Sequence, residues 1–250
     1  MRQDEITLAP ETLDLLTRVS TATITTQLVK THGMRSRSIP GVTPVNPARC
    51  RFVGPAYTVR YVPAREDLIP GGKRPLQENP IQEACDIVPA GSVVVIDQNG
   101  DASCGSLGDI LMARLVVRGV AGVVSDGGMR DIDPLRQMTM PVFCRGFGAP
   151  PSFASLLAAD TGSVIGCGGV LVVPGDIVVG DADGVVVIPR HLADQVARDG
   201  DEQERTEAWI RRKVDAGARV SEVYPLNAQY AAEYKQWVAA GRPDGVQEDV

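Results

Sequence analysis

Two short runs hold residue types that could do chemistry together. The first, Gly105-Ser106-Leu107-Gly108-Asp109-Ile110-Leu111, follows an apolar stretch and opens a helical pattern. The first turn of a helix presents unpaired backbone N–H groups at the positive end of its dipole, so it can hold a carboxylate or phosphate without a lysine. Glycines let such a ligand approach the backbone closely. The second run, Ser125-Asp126-Gly127-Gly128-Met129-Arg130-Asp131, comes directly after another apolar stretch. Arg130 offers a planar guanidinium that suits a carboxylate or a 2-oxo acid. Asp131 offers hard oxygen to a cation such as Mg2+, which keeps several of its waters. Each run also has a plainer reading. Asp109 could simply stabilise its own helix start, and Arg130 and Asp131 could be an exposed charged turn. Taken together they supply an anion grip, a counter-charge and a metal ligand. In open α/β sheets, ligands bind at the carboxyl ends of the strands, where both runs are expected.

The elements that must position them follow from periodicity. Ser92–Asp97 reads as a buried strand, Gly108–Arg118 as a helix, and Val120–Ser125 as a second buried strand. A short helix over Ile132–Met138 and a third strand over Pro141–Cys144 complete a parallel βαβαβ unit, whose crossovers should be right-handed. The run from Ser125 to Asp131 is then a loop at the end of the second strand. Upstream, Ser20-Thr21 caps a helix of about three turns that stops at Gly33. The alternating stretch Ala56–Tyr61 reads as a strand, and Pro63–Pro80 as a surface loop able to cover a pocket. A short helix follows over Ile81–Ile87. Downstream, four short strands are expected over Gly162–Ile165, Val170–Val173, Asp176–Val179 and Gly184–Ile188, with tight turns at Gly175 and Gly184. They form an antiparallel portion on the same core. A charged helix over His191–Asp215, a helix over Leu226–Ala240 and a frayed tail complete the chain. The fold class is α/β, with residues 1–190 as the main domain and 191–250 as a helical C-terminal extension.

Composition narrows the chemistry. At 44% hydrophobic and only 4% aromatic, the 250 residues suit a core of branched aliphatics. A net charge of −6 with scattered basic residues gives no electrostatic footprint for nucleic acid. No apolar run is long enough to span a bilayer, and the acidic start Met1–Glu5 is unlike a signal peptide. Five cysteines without a CxxC pair fit a reduced, cytoplasmic chain with buried thiols. His32 and His191 are the only histidines and lie far apart, which excludes a multi-histidine zinc site and leaves oxygen as the main metal donor. The four lysines, Lys30, Lys73, Lys213 and Lys235, all fall outside the expected core strands, so a Schiff-base lysine has no obvious candidate.

The spacing Gly108-Asp109, Gly119-Val120, Gly122-Val123-Val124, Asp126-Gly127 and Arg130-Asp131 resembles the family of 4-hydroxy-4-methyl-2-oxoglutarate aldolases and ribonuclease E inhibitors, the RraA-like family. Ser20-Thr21-Ala22-Thr23, Pro174-Gly175-Asp176 and the run Asp181–Pro189 fit as well. The resemblance covers about Ser20 to Pro189 and is densest from Gly105 to Gly146. It implies a swivelling β/β/α fold in a homotrimer or a hexamer, with sites between subunits. It further implies that backbone amides of Gly108, Asp109, Ile110 and Leu111 hold the substrate carboxylate, with Arg130 on the keto acid. Asp131 would ligate Mg2+ or Mn2+, and Asp109 would position a water on that metal. An acidic residue of a neighbouring subunit, near Asp181–Asp183, could also reach the site.

This inventory suits carbon–carbon cleavage beside a keto acid, where the developing enolate needs an electron sink. Metal Lewis acidity supplies one, Arg130 stabilises the enolate oxygen, and Asp109 takes part in proton transfer. The expected activity is a divalent-metal-dependent lyase on a small 2-oxo acid, by aldol cleavage or oxaloacetate decarboxylation. A sugar-acid dehydratase, or a non-catalytic regulator of ribonuclease E, are the alternatives. Arg35 and Arg37, after the first helix, could assist binding or form surface ion pairs. Cys104 reads as a packed thiol, and His32 as a cap on its helix end. The stretch Arg65–Pro80 and the C-terminal extension are longer than in compact members of the family and could reshape the pocket.

Overall fold

A computed structural model describes residues 8–35, 37–68 and 80–241. Its centre is the expected parallel unit. Strands β3 (Val93–Asp97), β4 (Gly122–Met129) and β5 (Val142–Phe147) alternate with helices α4 (Asp109–Val117) and α5 (Ile132–Gln137). Val93, Val94 and Val95 pair with Gly122, Val123 and Val124, and Val123 and Val124 pair in turn with Val142 and Phe143. A long strand, β2 (Phe52–Pro63), ties this unit to the antiparallel part. Its middle runs parallel to β3, its start pairs antiparallel with β9 (Ile177–Asp181), and its end pairs antiparallel with β6 (Leu156–Thr161). Strand β10 (Gly184–Ile188) completes the row, while β7 (Ile165–Cys167) and β8 (Val170–Val172) form a separate hairpin.

The sheet curls almost to closure. The segment after α2 (Thr21–Lys30) crosses from β10, where Ile39 N–H donates to Val185 O at 2.8 Å, to β5, where β1 (Thr43–Pro44) pairs with Cys144 and Phe143. Side chains alternate along each strand with the period of two that a pleated strand imposes. Val93, Val95, Val124, Val185 and Val187 point into the curl, packing around Phe143 and the β7–β8 hairpin. Val94, Ile96 and Val123 point outward beneath α3 (Pro80–Ile87), α4 and α5. On the far side, Ile177, Val179, Val186 and Ile188 lie beneath α1 (Pro10–Arg18), α2 and the first turns of α6 (Ala193–Asp215). The end of α6 joins α7 (Val220–Val223) and α8 (Ala228–Ala239) in a small cluster of their own, built on Trp209, Ile210, Val223 and Tyr234.

The ends of α2 follow local rules. Ser20 caps the start by accepting Thr23 N–H. At the other end it is Gly33, at φ +63°, that turns the chain so that Met34 N–H reaches Leu28 O at 2.8 Å. The cap expected from His32 is therefore supplied by the glycine after it, and the buried ring nitrogen Nε2 of His32 has no hydrogen-bond partner among the described residues.

Three expectations are corrected. Strand β4 does not end at Ser125: after a register shift it continues to Met129, pairing Gly128 and Met129 with Gly146 and Phe147. A Cβ on Gly128 would sit 2.3 Å from Cys104 O, and one on Gly127 2.4 Å from Gln98 Cβ. These glycines serve close packing beneath the 98–105 segment, where glycine in a strand marks another backbone's approach. Second, the strand expected over Gly162–Ile165 is mostly a turn with Gly162 at φ +75°, and the strand before it is β6. Third, α1 adds a helix where none was expected; Pro10 opens it, a position at which the missing N–H costs nothing. Of the expected loop over Pro63–Pro80, residues 69–79 lie outside the described residues, as does the tail beyond Gly241.

Candidate functional site

The two sequence runs meet because their backbones lie side by side. Ser106 N–H donates to Gly128 O at 2.9 Å, and Arg130 N–H donates to Leu107 O at 3.1 Å. Tyr61, buried, donates its hydroxyl to Ser106 O at 3.3 Å from below. Gly105 is sandwiched between Gly128 and Pro151, and a Cβ there would sit 2.6 Å from Arg130 Cβ. Helix α4 then starts at Asp109 with Gly108 as its N-cap, held down by buried Met112 and Leu115. Its opening turn faces solvent: Ile110 is 80% exposed, while Leu111 packs on the core.

Asp131 links the two runs chemically. It caps α5 in the left-handed region, at φ +57° and ψ +49°, a conformation that aspartate tolerates better than most residues and that concentrates at functional sites. Its side chain caps nothing on α5. Instead Oδ2 accepts Asp109 N–H at 3.3 Å and lies 3.3 Å from Arg130 Nε. The Arg130 Nε is buried and not aligned for a hydrogen bond, while the side chain as a whole is 38% exposed. The next amide, Ile110 N–H, donates to Asp109 Oδ1 at 2.8 Å. Both amides at the head of α4 thus hold carboxylate oxygens of the chain itself, which stand where an external anion would bind. Gly108 makes room for this, since a Cβ would fall 2.3 Å from Asp131 Oδ2.

Gly108, Asp109, Ile110, Arg130 and Asp131 are therefore brought together, and Leu111 reaches the group through its backbone position in the first turn. Among the described residues no group of three or more His, Cys, Asp or Glu side chains is placed to hold a metal. Other acidic residues of the motifs are engaged elsewhere. Asp126, 2% exposed, accepts the amides of Gln98 (2.7 Å), Gly100 (3.2 Å) and Gly168 (2.9 Å). Burial holds its carboxyl above the usual range, opposed by those hydrogen bonds. It braces the segment that leads into Gly105. Asp181 accepts Thr21 N–H and Oγ1–H at 2.7 and 2.6 Å, Asp183 N–H at 3.0 Å, and Arg51 Nη1 at 3.1 Å. Its oxygens are taken within its own chain, whereas Asp183 is exposed.

Arg51 itself was invisible as a structural centre in the sequence. Its guanidinium also donates to Leu16 O, Thr17 O and Val19 O, closing the C-terminal carbonyls of α1. Cys104 is fully buried beside Gly105, and burial raises its thiol value, as a packed rather than reactive cysteine requires.

The chain as a whole matches known proteins. Residues 18–187 match the family model described as RraA-like, Aldolase/RraA. A Halalkalibacterium halodurans protein provisionally named 4-hydroxy-4-methyl-2-oxoglutarate aldolase is 36% identical over 149 residues, covering 58% of this chain and 63% of that one. Protein DlpA of Legionella pneumophila is 31% identical over 172 residues, which is 69% of this chain but 27% of DlpA. The chain therefore spans less than two thirds of the length of either relative. Streptomyces coelicolor RraAS2, described as an unusual member of the RNase ES inhibitor RraA protein family, superposes with a TM-score of 0.73 at 31% identity, over 82% of this chain and 97% of that one. With its family model matched over most of its length, and with the fold of a solved member, the chain belongs to the RraA-like family of aldolases and RraA proteins.

Proposed function

We propose that this chain is a divalent-metal-dependent lyase that cleaves a small 2-oxo acid through a pyruvate enolate, as a hydroxy-oxoglutarate aldolase, an oxaloacetate decarboxylase, or both. One observation carries the reading: Asp131 Oδ2 sits between the first amide of α4 and the Arg130 guanidinium. A carboxylate, a guanidinium and a helix N-terminus at one point form an anion site with a cation ligand built in.

The donor set fits a Mg2+ or Mn2+ ion. Asp131 contributes hard carboxylate oxygen on a side chain that is 33% exposed, and such ions are held by one or two carboxylates while keeping water in their other positions. Asp131 would hold the ion, which when bound supplies Lewis acidity as the electron sink for the enolate. The substrate carboxylate takes the amides of Asp109 and Ile110, displacing the side-chain oxygens that hold them in the free chain. Arg130 orients the keto acid and stabilises negative charge as it develops on the keto oxygen. Freed from Ile110 N–H, the Asp109 carboxylate is available to move a proton at the reacting centre. The exposed head of α4 is compatible with a homotrimer or hexamer in which a neighbouring copy covers the site.

The test is turnover of 4-hydroxy-4-methyl-2-oxoglutarate and of oxaloacetate, read as pyruvate, with Mn2+ added and then chelated. Metal-dependent pyruvate release that collapses in Arg130→Ala and Asp131→Ala, both still folded, is the expected result. Absence of pyruvate from either substrate, or release that survives both substitutions and chelation, overturns the reading.

A further inference from the structure

Arg37 makes no ion pair among the described residues, although a surface ion pair is one of the two roles open to it in the sequence. It borders a cleft of about 370 Å³ between α2 and β10. The floor of this cleft is apolar, made by Leu28, Val29, Met34 and Val186. Asp183, in the turn between β9 and β10, is the only other charged residue lining it among the described residues. None of Gly105–Leu111, Arg130 or Asp131 lines it.

Backbone hydrogen bonds fix both sides of the cleft. Val187 N–H donates to Arg37 O at 2.9 Å and Ile39 N–H to Val185 O at 2.8 Å, which ties the Arg37 segment to β10. Across from it, Asp181 accepts Thr21 N–H at 2.7 Å and Asp183 N–H at 3.0 Å, clamping the start of α2 to the β9–β10 turn. A cleft held in this way exists before its ligand arrives, so little ordering is lost on binding.

The two charges that line it are unengaged. Arg37 Nε is buried without a hydrogen-bond partner among the described residues. Arg37 is within electrostatic reach of Asp176, but that carboxylate already accepts Val173 N–H at 2.9 Å and Arg190 N–H at 3.3 Å. The exposed Asp183 carboxylate has no hydrogen-bond or ion-pair partner among the described residues, so it is not paired with Arg37 either. A cation and an anion that share an apolar floor without meeting are complementary to a ligand that carries both charges and an apolar body. The guanidinium fork suits a carboxylate, and an ammonium offers three donors to an aspartate. The volume is that of a small-molecule site, and apolar walls with a few convergent polar groups are the usual composition of one.

We propose that this cleft binds a small apolar amino acid, its carboxylate on Arg37, its ammonium on Asp183 and its side chain on Leu28, Val29, Met34 and Val186. This site is separate from the lyase site and does not depend on it.

The test is calorimetric titration of the intact protein with L-leucine and with three compounds that each lack one part of it. These are 4-methylpentanoate, without the ammonium; 3-methylbutylamine, without the carboxylate; and glycine, without the side chain. Leucine should bind saturably, one per chain, and each of the others at least about tenfold more weakly. Arg37→Ala and Asp183→Asn should each weaken leucine binding about tenfold or more, the value of a lost charge-assisted hydrogen bond. Selectivity should change with them: Asp183→Asn should no longer prefer leucine to 4-methylpentanoate, nor Arg37→Ala prefer leucine to 3-methylbutylamine, which a merely structural disturbance would not produce. Val29→Trp fills the cleft from a position 49% exposed and should block binding, while Arg130→Ala should leave it unchanged. Absence of saturable leucine binding, any of the three partial compounds binding as tightly as leucine, selectivity that survives both charge substitutions, or binding indifferent to Val29→Trp would each overturn the proposal. Loss of binding in Arg130→Ala would overturn it too, by assigning the cleft to the lyase site. The readout is binding alone, so its failure is distinct from failure of the lyase reading.

Discussion

Substituting Gly108 by alanine would separate the packing role of the α4 head from its chemistry. The backbone at Gly108 is extended, at φ −114° and ψ −175°, so alanine is conformationally acceptable there. Its methyl, however, would stand 2.3 Å from Asp131 Oδ2. Ordinary C···O contact begins at about 3.3 Å, so the carboxylate must retreat by about 1 Å. It can do so by rotating, because Asp131 is a short side chain that is 33% exposed. The retreat gives up Oδ2's contacts to Asp109 N–H and Arg130, each at 3.3 Å. Half-exposed contacts of this kind, together with the poorer N-cap, cost about 1–2 kcal/mol of stability. A domain with a stability of about 5–15 kcal/mol remains folded. If Asp131 holds the cation, a displacement of about 1 Å should lower kcat/KM about a hundredfold, or about 2.7 kcal/mol in the barrier. The assay is pyruvate release under saturating Mn2+, with thermal unfolding measured in parallel. Gly166→Ala is the control, since a Cβ there meets nothing within 4 Å. A Gly108→Ala protein that keeps kcat/KM within about threefold of the parent, a spread too small for a displaced ligand, would refute the assignment of Asp131.

Other outcomes follow from the same geometry. Arg130→Lys keeps the charge but loses the fork, and should lower kcat/KM at least about tenfold with unchanged circular dichroism; parental activity in this variant would exclude bidentate substrate recognition. Asp126 has a folded-state carboxyl value raised by burial above its ordinary 3.8, so the native state keeps its proton longer than the unfolded chain does. Its contribution to stability is therefore full below that ordinary value and is lost as pH rises through the raised one. The difference in urea midpoint between the parent and Asp126→Asn should move against the parent over this interval and level off above it; a difference constant with pH would contradict the shift. Trp209→Ala removes a 4%-exposed ring packed edge-on to Tyr230 and Tyr234, at a cost of about 3–5 kcal/mol. Hydrogen exchange should show α7 and α8 losing protection before the sheet does, and uniform loss across the chain would show that the C-terminal helices and sheet unfold as one unit.

The parallel unit was legible because its strands are runs of branched aliphatics and its helices carry their own stop signals. The antiparallel part was less so. Gly162-Ser163 looked like the start of a strand, but it is a turn with positive φ, and the strand, β6, is the Leu156–Thr161 run just before it. Gly127 and Gly128 were read as loop residues for the ordinary reason that glycine marks turns. Only the three-dimensional approach of Cys104 O and Gln98 Cβ explains them as strand. For the candidate site, the sequence could give residue types and their order but not contact. Adjacent residues often point apart, and it is the left-handed turn at Asp131 that brings its carboxylate back over Gly108 to the start of α4. The roles of Asp126, Asp181 and Arg51 rest mainly on partners tens of residues distant or more, which no local pattern reports.

The N-terminal helices have an unusual dependence in time. Thr21 closes on Asp181, and Ser20 N–H and hydroxyl both donate to Glu204 Oε1, with 160 and 184 positions between the partners. On a ribosome adding about 5–20 residues per second, α1 and α2 emerge roughly ten to forty seconds before the residues that lock them. During that wait Leu16, Ile24 and Leu28, all fully buried at the end, have no β9–β10 surface to lie on. The first helices of the chain are thus among the last to be fixed, and nascent chains stalled before about residue 180 should be the ones that chaperones bind and proteases cut at the N-terminal end.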